Sequence, residues 1–246
     1  MVIDPGMPIA ITSLNDYDEL FIEKLQMLLK INENKITDWP KGKFTPKVDH
    51  LGIYPRTKKT LPILVATGGS IESMMRTAEM GLPIVYAIIG GNPHDFKPLI
   101  QLYRAIGEKK GYNLRKMTVA AHSWGWLEDD KDQAIQNYFY LTKLLVDQIS
   151  SERPHWQEMT YEQYLASTGD NGAIFVGDAD TVAKKIIRVI ADLGLTRFYL
   201  HLPIASMPHD DVLKAIGIYG KEVVPKVKQY FRSKELNQKP IFKWKK

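Results

Sequence analysis

Three groups of residues have the types and spacing for chemistry. The first is Gly68-Gly69-Ser70, with Glu72 and Ser73 just behind it. An apolar run, Pro62 to Thr67, empties into these glycines, and a helical pattern starts there. A strand that gives way to glycines at a helix N-terminus concentrates free N–H groups and the positive end of the helix dipole at one spot. That suits a phosphate, with the Ser70 hydroxyl as a further donor. It equally suits a tight turn in which Ser70 caps the helix and Glu72 favours its dipole. The second group is Gly90-Gly91-Asn92-Pro93, after the apolar run Ile84 to Ile89. By itself this is an ordinary Gly/Pro loop, but glycine pairs at the same end of neighbouring strands would open one crevice. The third is His122, followed by Ser123, Trp124 and Trp126. Strand alternation puts His122, Trp124 and Trp126 on one face, as a wall for a planar ligand or as plain core.

Several chemistries find no support. There is no cysteine, hence no disulfide, thiolate metal site or thiol nucleophile. GK[ST], GxGxxG, HExxH and GxSxG are all absent. His201 and His209 have no metal-ligand spacing, so no metal is expected. The net charge is +5, and residues 232–246 carry that whole excess. This reads as a solvated basic tail rather than a nucleic-acid surface. No apolar run of membrane-spanning length and no signal-like N-terminus appear, so no membrane contact and a cytoplasmic location are expected.

The positioning elements follow from periodicity. Residues 15–32 predict a helix with Leu20, Phe21, Leu25, Leu28 and Leu29 on one face. Residues 33–60, rich in Pro and Gly, predict an irregular excursion with a short hairpin. Four principal strands follow, Pro62–Thr67, Ile84–Ile89, Met117–Ser123 (running on to Trp126) and Arg197–Leu202, alternating with helices over 93–110, 129–153, 181–193 and 208–231, the last interrupted at Pro225. Met74, Met75 and Met80 are expected in the core. The alternation predicts an α/β fold with a parallel sheet and crossover helices, as one domain over 1–231 with a tail over 232–246.

The stretch LPILVATGGSIESMMRTAEMGLPIVYAIIGG, with VAAHSWGW, TGDNGAIFVGDADTVAKKI, RFYLHLPIASMPHDDVLKAI and YGKEVVPKV in order, resembles the C-terminal part of the luciferase-like flavin-dependent monooxygenase family. The resemblance spans about residues 16 to 231. It implies a (β/α)8 barrel of which this chain supplies a partial form, about four parallel strands, with the N-terminal half absent. It implies FMN or a deazaflavin, FMN being preferred, with Gly68, Gly69, Ser70, Glu72 and Ser73 at its phosphate, Gly90 and Gly91 close to the flavin, and His122 on the catalytic face. The activity implied is oxygenation of a small organic substrate by reduced FMN and oxygen. Four strands cannot close, so the inward face would be an exposed apolar patch, covered in a homo-oligomer or by a complementary half-barrel chain. The alternative is a non-catalytic flavin- or phosphate-binding subunit that acts through a partner.

Overall fold

A computed structural model describes residues 16–152, 156–202, 204 and 206–237. They fall into two compact units, divided between Ile63 and Leu64. No boundary was expected there from composition.

In the first unit, helix α1 (Tyr17–Glu33) packs on an antiparallel pair, β1 (Ile36–Trp39) and β2 (Val48–Gly52). The link between the strands is pinned from α1. The Glu23 carboxylate accepts from the Phe44 N–H at 3.1 Å and from the Thr45 hydroxyl, and these donors hold its pKa below the ordinary value. The expected hairpin is present.

The second unit is a parallel sheet with crossover helices. Its strands are β3 (Val65–Thr67), β4 (Ile84–Ala87), β5 (Val119–Leu127), β6 (Phe175–Gly177) and β7 (Arg197–His201). β3 pairs with β4, β4 with β5, and the nine-residue β5 pairs with both β6 and β7, all parallel. Between them run α2 (Ile71–Glu79), a 3₁₀ turn (Pro93–Phe96) continuing into α3 (Lys97–Lys109), α4 (Lys131–Glu152), α5 (Tyr161–Thr168) and α6 (Ala179–Leu193). After β7 come α7 (His209–Ile218), a π turn (Tyr219–Val223) and α8 (Val224–Asn237). The segment expected to be only a short apolar run, Ala173–Val176, runs into β6, a parallel strand additional to the four expected. Its N-terminal residues stay outside the ladder, although Ala173 and Ile174 are buried.

The strands are shorter than the apolar runs that announce them. Residues 62–64 and 88–89 of those runs lie outside β3 and β4, although the Ile88 N–H still bonds to His122 O at 2.8 Å. Burial of an apolar side chain does not require a ladder partner, so hydrophobicity overstates strand length. Helix ends follow local chemistry. Asp178 caps α6 by accepting from the Thr181 N–H at 2.7 Å, and Gly194 ends it at φ 61°, ψ 42°. Thr160 and Gln163 form a reciprocal capping box on α5. The interruption expected at Pro225 takes the form of the π turn just before it. There the Val224 N–H bonds to Tyr219 O, which shifts the bonding register so that the chain stays helical past a proline with no N–H to give. α8 continues to Asn237, six residues past the point where a tail was set apart; residues 238–246, with Phe242 and Trp244, lie outside the described residues.

The two faces of the sheet differ. Val65, Thr67, Ile84, Tyr86, Val119, Ala121 and Ser123 alternate along the strands on the buried face, and α2 and α6 pack on β3 and β7. The opposite face carries the rows Ala66–Val85–Ala120–Arg197 and Ala87–His122–Tyr199. Ala66, Arg197, Tyr199 and His201 are exposed there, and Val85, Ala87 and His122 are half-buried. The face is therefore mixed: β3 and β4 place the small apolar residues Ala66, Val85 and Ala87 on it, while β7 places Arg197, Tyr199 and His201 on it and turns Phe198 and Leu200 the other way. Among the methionines, Met74 is fully buried, whereas Met75 on the neighbouring turn position is exposed.

Candidate functional site

The turn after β3 is built by its own sequence. Thr67 ends the strand, and its hydroxyl accepts from the Gly69 N–H at 3.4 Å. Gly69 sits at φ 107°, a region that side chains rarely adopt. A Cβ there would lie 3.2 Å from the Phe96 ring. Ser70 then opens α2, its hydroxyl accepting from the Ser73 N–H at 3.2 Å and donating to a Glu72 carboxylate oxygen at 2.7 Å. Gly68, Ser70 and Glu72 are exposed, and Gly69 and Ser73 are half-buried. A Cβ on Gly68 would meet no atom within 4 Å.

The turn after β4 is equally open. Gly90 and Gly91 have no atom within 4 Å of a Cβ position, and Gly91 lies at φ 71°. Asn92 follows as a cap, accepting from the His94 N–H at 3.0 Å. Since β3 and β4 are adjacent and parallel, both glycine turns leave the sheet at the same end. Phe96, from the 3₁₀ turn after Gly91, packs edge-on against Tyr86 with ring centroids 5.6 Å apart and also stands against Gly69.

His122 lies within β5, opposite Ala87 of β4 and Tyr199 of β7. Its Nε2 is 3.2 Å from Nδ1 of His201. Burial, and then the neighbouring His201, hold its pKa below the ordinary histidine value. The two tryptophans do not form a wall beside it. Trp124 and Trp126 are buried at 6% and 3% exposure. Trp126 stacks on Tyr138 of α4 with centroids 6.0 Å apart, and its Nε1–H donates to Glu128 at 2.8 Å. The plain core reading of these indoles is the correct one. Sequence reasoning saw His201 only as a failed metal ligand. The signal for its proximity to His122 was the parallel register of two strands, which a single sequence does not display.

A concavity at the C-terminal end of β5, away from the glycine turns, is lined by Glu128, Asp129, Asp178, Asp180, Glu222 and Lys226 among others. Its charges are largely committed. Lys226 pairs with Asp180 and Lys214 with Asp129, both at 2.7 Å. Among the described residues no group of three or more His, Asp or Glu is arranged to hold a metal ion, and no helix is long and apolar enough to cross a membrane.

A parallel sheet with crossover helices, and with open glycine turns at the carboxyl ends of two adjacent strands, defines an α/β protein. The chain belongs to the luciferase-like monooxygenase family, whose model matches residues 7–197. Solved structures agree on the fold. It is similar to monooxygenase RslO1 from Streptomyces bottropensis at 18% identity, over 87% of this chain and 62% of that one, with a TM-score of 0.69. It is similar to an F420-dependent secondary alcohol dehydrogenase solved with an F420–acetone adduct, at 19% identity over 89% and 65%, TM-score 0.63. It is also similar to the oxygenating constituent of 3,6-diketocamphane monooxygenase from Pseudomonas putida, solved with FMN, at 18% identity over 91% and 66%, TM-score 0.58. The chain spans under two thirds of the length of each of these. Its architecture is a partial barrel. No curated protein sequence matches it.

Proposed function

We propose that this chain is a flavin-dependent oxidoreductase of the monooxygenase type that holds the phosphate of FMN at the Gly68–Ser73 turn. One observation carries the reading. In a chain of this family, the turn from β3 to α2 is exposed, and Gly68, Gly90 and Gly91 leave open space where side chains would stand. The fit is physical. The Ser73 N–H is given to the Ser70 hydroxyl, but a helix start leaves further first-turn N–H groups without an acceptor inside the helix, the helix dipole favours an anion, and glycine lets a phosphate approach the backbone. Gly90 and Gly91 would border the same ligand. Bound flavin supplies the redox chemistry, the activation of oxygen for transfer to a small organic substrate. The chain supplies anchoring at 68–73, a surface of small residues at Ala66 and Ala87, and an imidazole, His122, beside it. Structural relatives solved with F420 and with FMN support a flavin-type cofactor; the short Ser70-capped turn, suited to a single terminal phosphate, is our reason for FMN.

Five parallel strands among the described residues leave sheet edges unpaired. That favours a second reading, in which the chain binds flavin but turns over only with a second copy or a complementary half-barrel chain. Titration of the purified chain with FMN, followed by flavin fluorescence, tests the first. Gly68→Ala should leave binding near wild type, because the site has room, and Gly68→Asp should weaken it about tenfold or more (~1.4 kcal/mol) by placing a carboxylate at the phosphate. Equal affinity in the two variants would refute the phosphate site. Tight FMN binding without flavin-dependent oxygen uptake would select the second reading.

A further inference from the structure

Two imidazoles touch on the sheet face that carries Ala66 and Ala87. His122 Nε2 and His201 Nδ1 are 3.2 Å apart, with ring centroids 5.2 Å apart and planes tilted by 45°. The contact follows from register. β5 and β7 run parallel with His122 opposite Tyr199 and Trp124 opposite His201, so His201 is the diagonal neighbour of His122 on one face.

At that separation one proton lies between the two nitrogens, and the tautomers become coupled. With the proton on His201 Nδ1, it is donated to His122 Nε2, and neutral His122 carries its own proton on Nδ1. With the proton on His122 Nε2, it is donated to His201 Nδ1, and neutral His201 carries its own on Nε2. One proton moving along the line interconverts the states if another enters at one outer nitrogen and one leaves at the other. The two ends see different surroundings, since His201 is exposed and His122 half-buried.

Stability does not account for the pair. A hydrogen bond between partly exposed groups contributes little, and both burial and the neighbouring imidazole oppose a charge on His122. Among the described strand residues, the other charged or titratable groups on this face are Arg197 and Tyr199 of β7, which bond to each other at 3.1 Å. β4 brings only Val85 and Ala87, and β3 only Ala66. His122 stands between Ala87 of β4 and Tyr199 of β7, so on the β4 side its neighbours on this face are small.

We propose that His122 and His201 act as one proton-transfer unit for a molecule bound on this face, His201 exchanging the proton with water and His122 passing it to or from that molecule. In the delivering direction, a proton enters at His201 Nε2, the Nδ1 proton of His201 crosses to His122 Nε2, and the Nδ1 proton of His122 goes to the bound molecule. No electrons move, and the bound molecule gains the proton that water loses. That the molecule is a substrate or cofactor of redox chemistry rests on the function proposed above; the coupling of the two imidazoles does not.

The test follows the imidazole C–H signals of the full chain by NMR from pH 4 to 9, assigned with His122→Ala and His201→Ala. Wild-type His122 and His201 signals should shift together, and His201→Ala should move the His122 midpoint upward. A His122 titration unchanged in folded His201→Ala overturns the proposal. Flavin-dependent oxygen uptake supplies the second arm. His201→Ala should slow it, and added imidazole should restore it, which a merely structural residue would not show. A His201→Ala rate equal to wild type, or slow but insensitive to imidazole, also overturns the proposal. FMN affinity, measured alongside, judges the Gly68–Ser73 turn separately: a wild-type chain that binds no FMN sinks the cofactor assignment, while the NMR arm still decides the pair.

Discussion

The Ser70 hydroxyl donates to a Glu72 carboxylate oxygen at 2.7 Å, so the protein's own negative charge stands at the turn we propose for the phosphate. Glu72 favours the α2 dipole as a bound anion would, and the two compete for one place. Glu72→Gln should tighten FMN binding several-fold, up to about fivefold for ~1 kcal/mol, while lowering stability by about 0.3–1 kcal/mol through the lost dipole interaction. Paired fluorescence titrations and urea unfolding would check both signs. Weaker FMN binding in the variant would mean that Glu72 assists the ligand instead.

Gly69 and Gly91 both have positive φ, but only Gly69 is crowded, by Phe96 at 3.2 Å. Gly69→Ala should cost about 2 kcal/mol or more, from backbone strain plus the ring contact, and Gly91→Ala about 1 kcal/mol from backbone alone. Equal losses in denaturant midpoints would show that the Phe96 ring yields freely.

Lys185 is buried in α6 and donates from Nζ to the carbonyls of Gly169 at 2.6 Å, Ile174 at 2.7 Å and Thr168 at 3.1 Å, closing the C-terminal end of α5. Lys185→Met strands these acceptors and should cost about 2–4 kcal/mol. Burial, with Arg188 nearby, pulls the Lys185 pKa down from 10.5 to about 7. Between those values the unfolded chain binds more protons than the folded one, so this residue's contribution to stability rises with pH from about 7 upward and levels off near 10.5. The stability difference between wild type and Lys185→Met, measured by unfolding at pH 6, 8 and 10, should widen in that order. A flat difference would mean that the carbonyl cage holds the lysine charged throughout.

Trp126→Phe removes the Nε1–H donated to Glu128 and part of the stack on Tyr138. It should lower stability by about 1–2 kcal/mol and leave FMN affinity unchanged, because the indole is part of the core. A selective loss of FMN binding would restore this residue to the ligand surface.

How much was readable without the structure varies with the kind of information each feature needed. Helix α6 was legible nearly to the residue, since Asp178, Gly194 and the spacing of Val182, Ile186 and Val189 are all local signals. The hairpin over 33–60 and the glycine turns after β3 and β4 were legible for the same reason. β6 was not recognised as a strand, because three residues hold too little periodicity and their pairing partner, Gly125 to Leu127, lies some fifty residues away. Whether the indoles of β5 form a wall or plain core stayed open in the sequence, because alternation tells which residues share a face, not what covers it. Tyr138 of α4 covers Trp126, a ring contact between strand and helix that the alternation of β5 alone does not announce.

What the residues alone determined is the local grammar: parallel strands emptying into glycines, capped helices, a family resemblance carried by motifs in order. Tertiary structure decided what those pieces face. It left the backbone open at Gly68, Gly90 and Gly91, set the Phe96 ring against Gly69, and brought His201 to His122 across 79 residues of chain. The reason is one of range. Turns and caps depend on neighbours a few residues away, whereas strand register and the covering of a face are fixed by contacts between segments whose separation along the chain says nothing about their meeting in space.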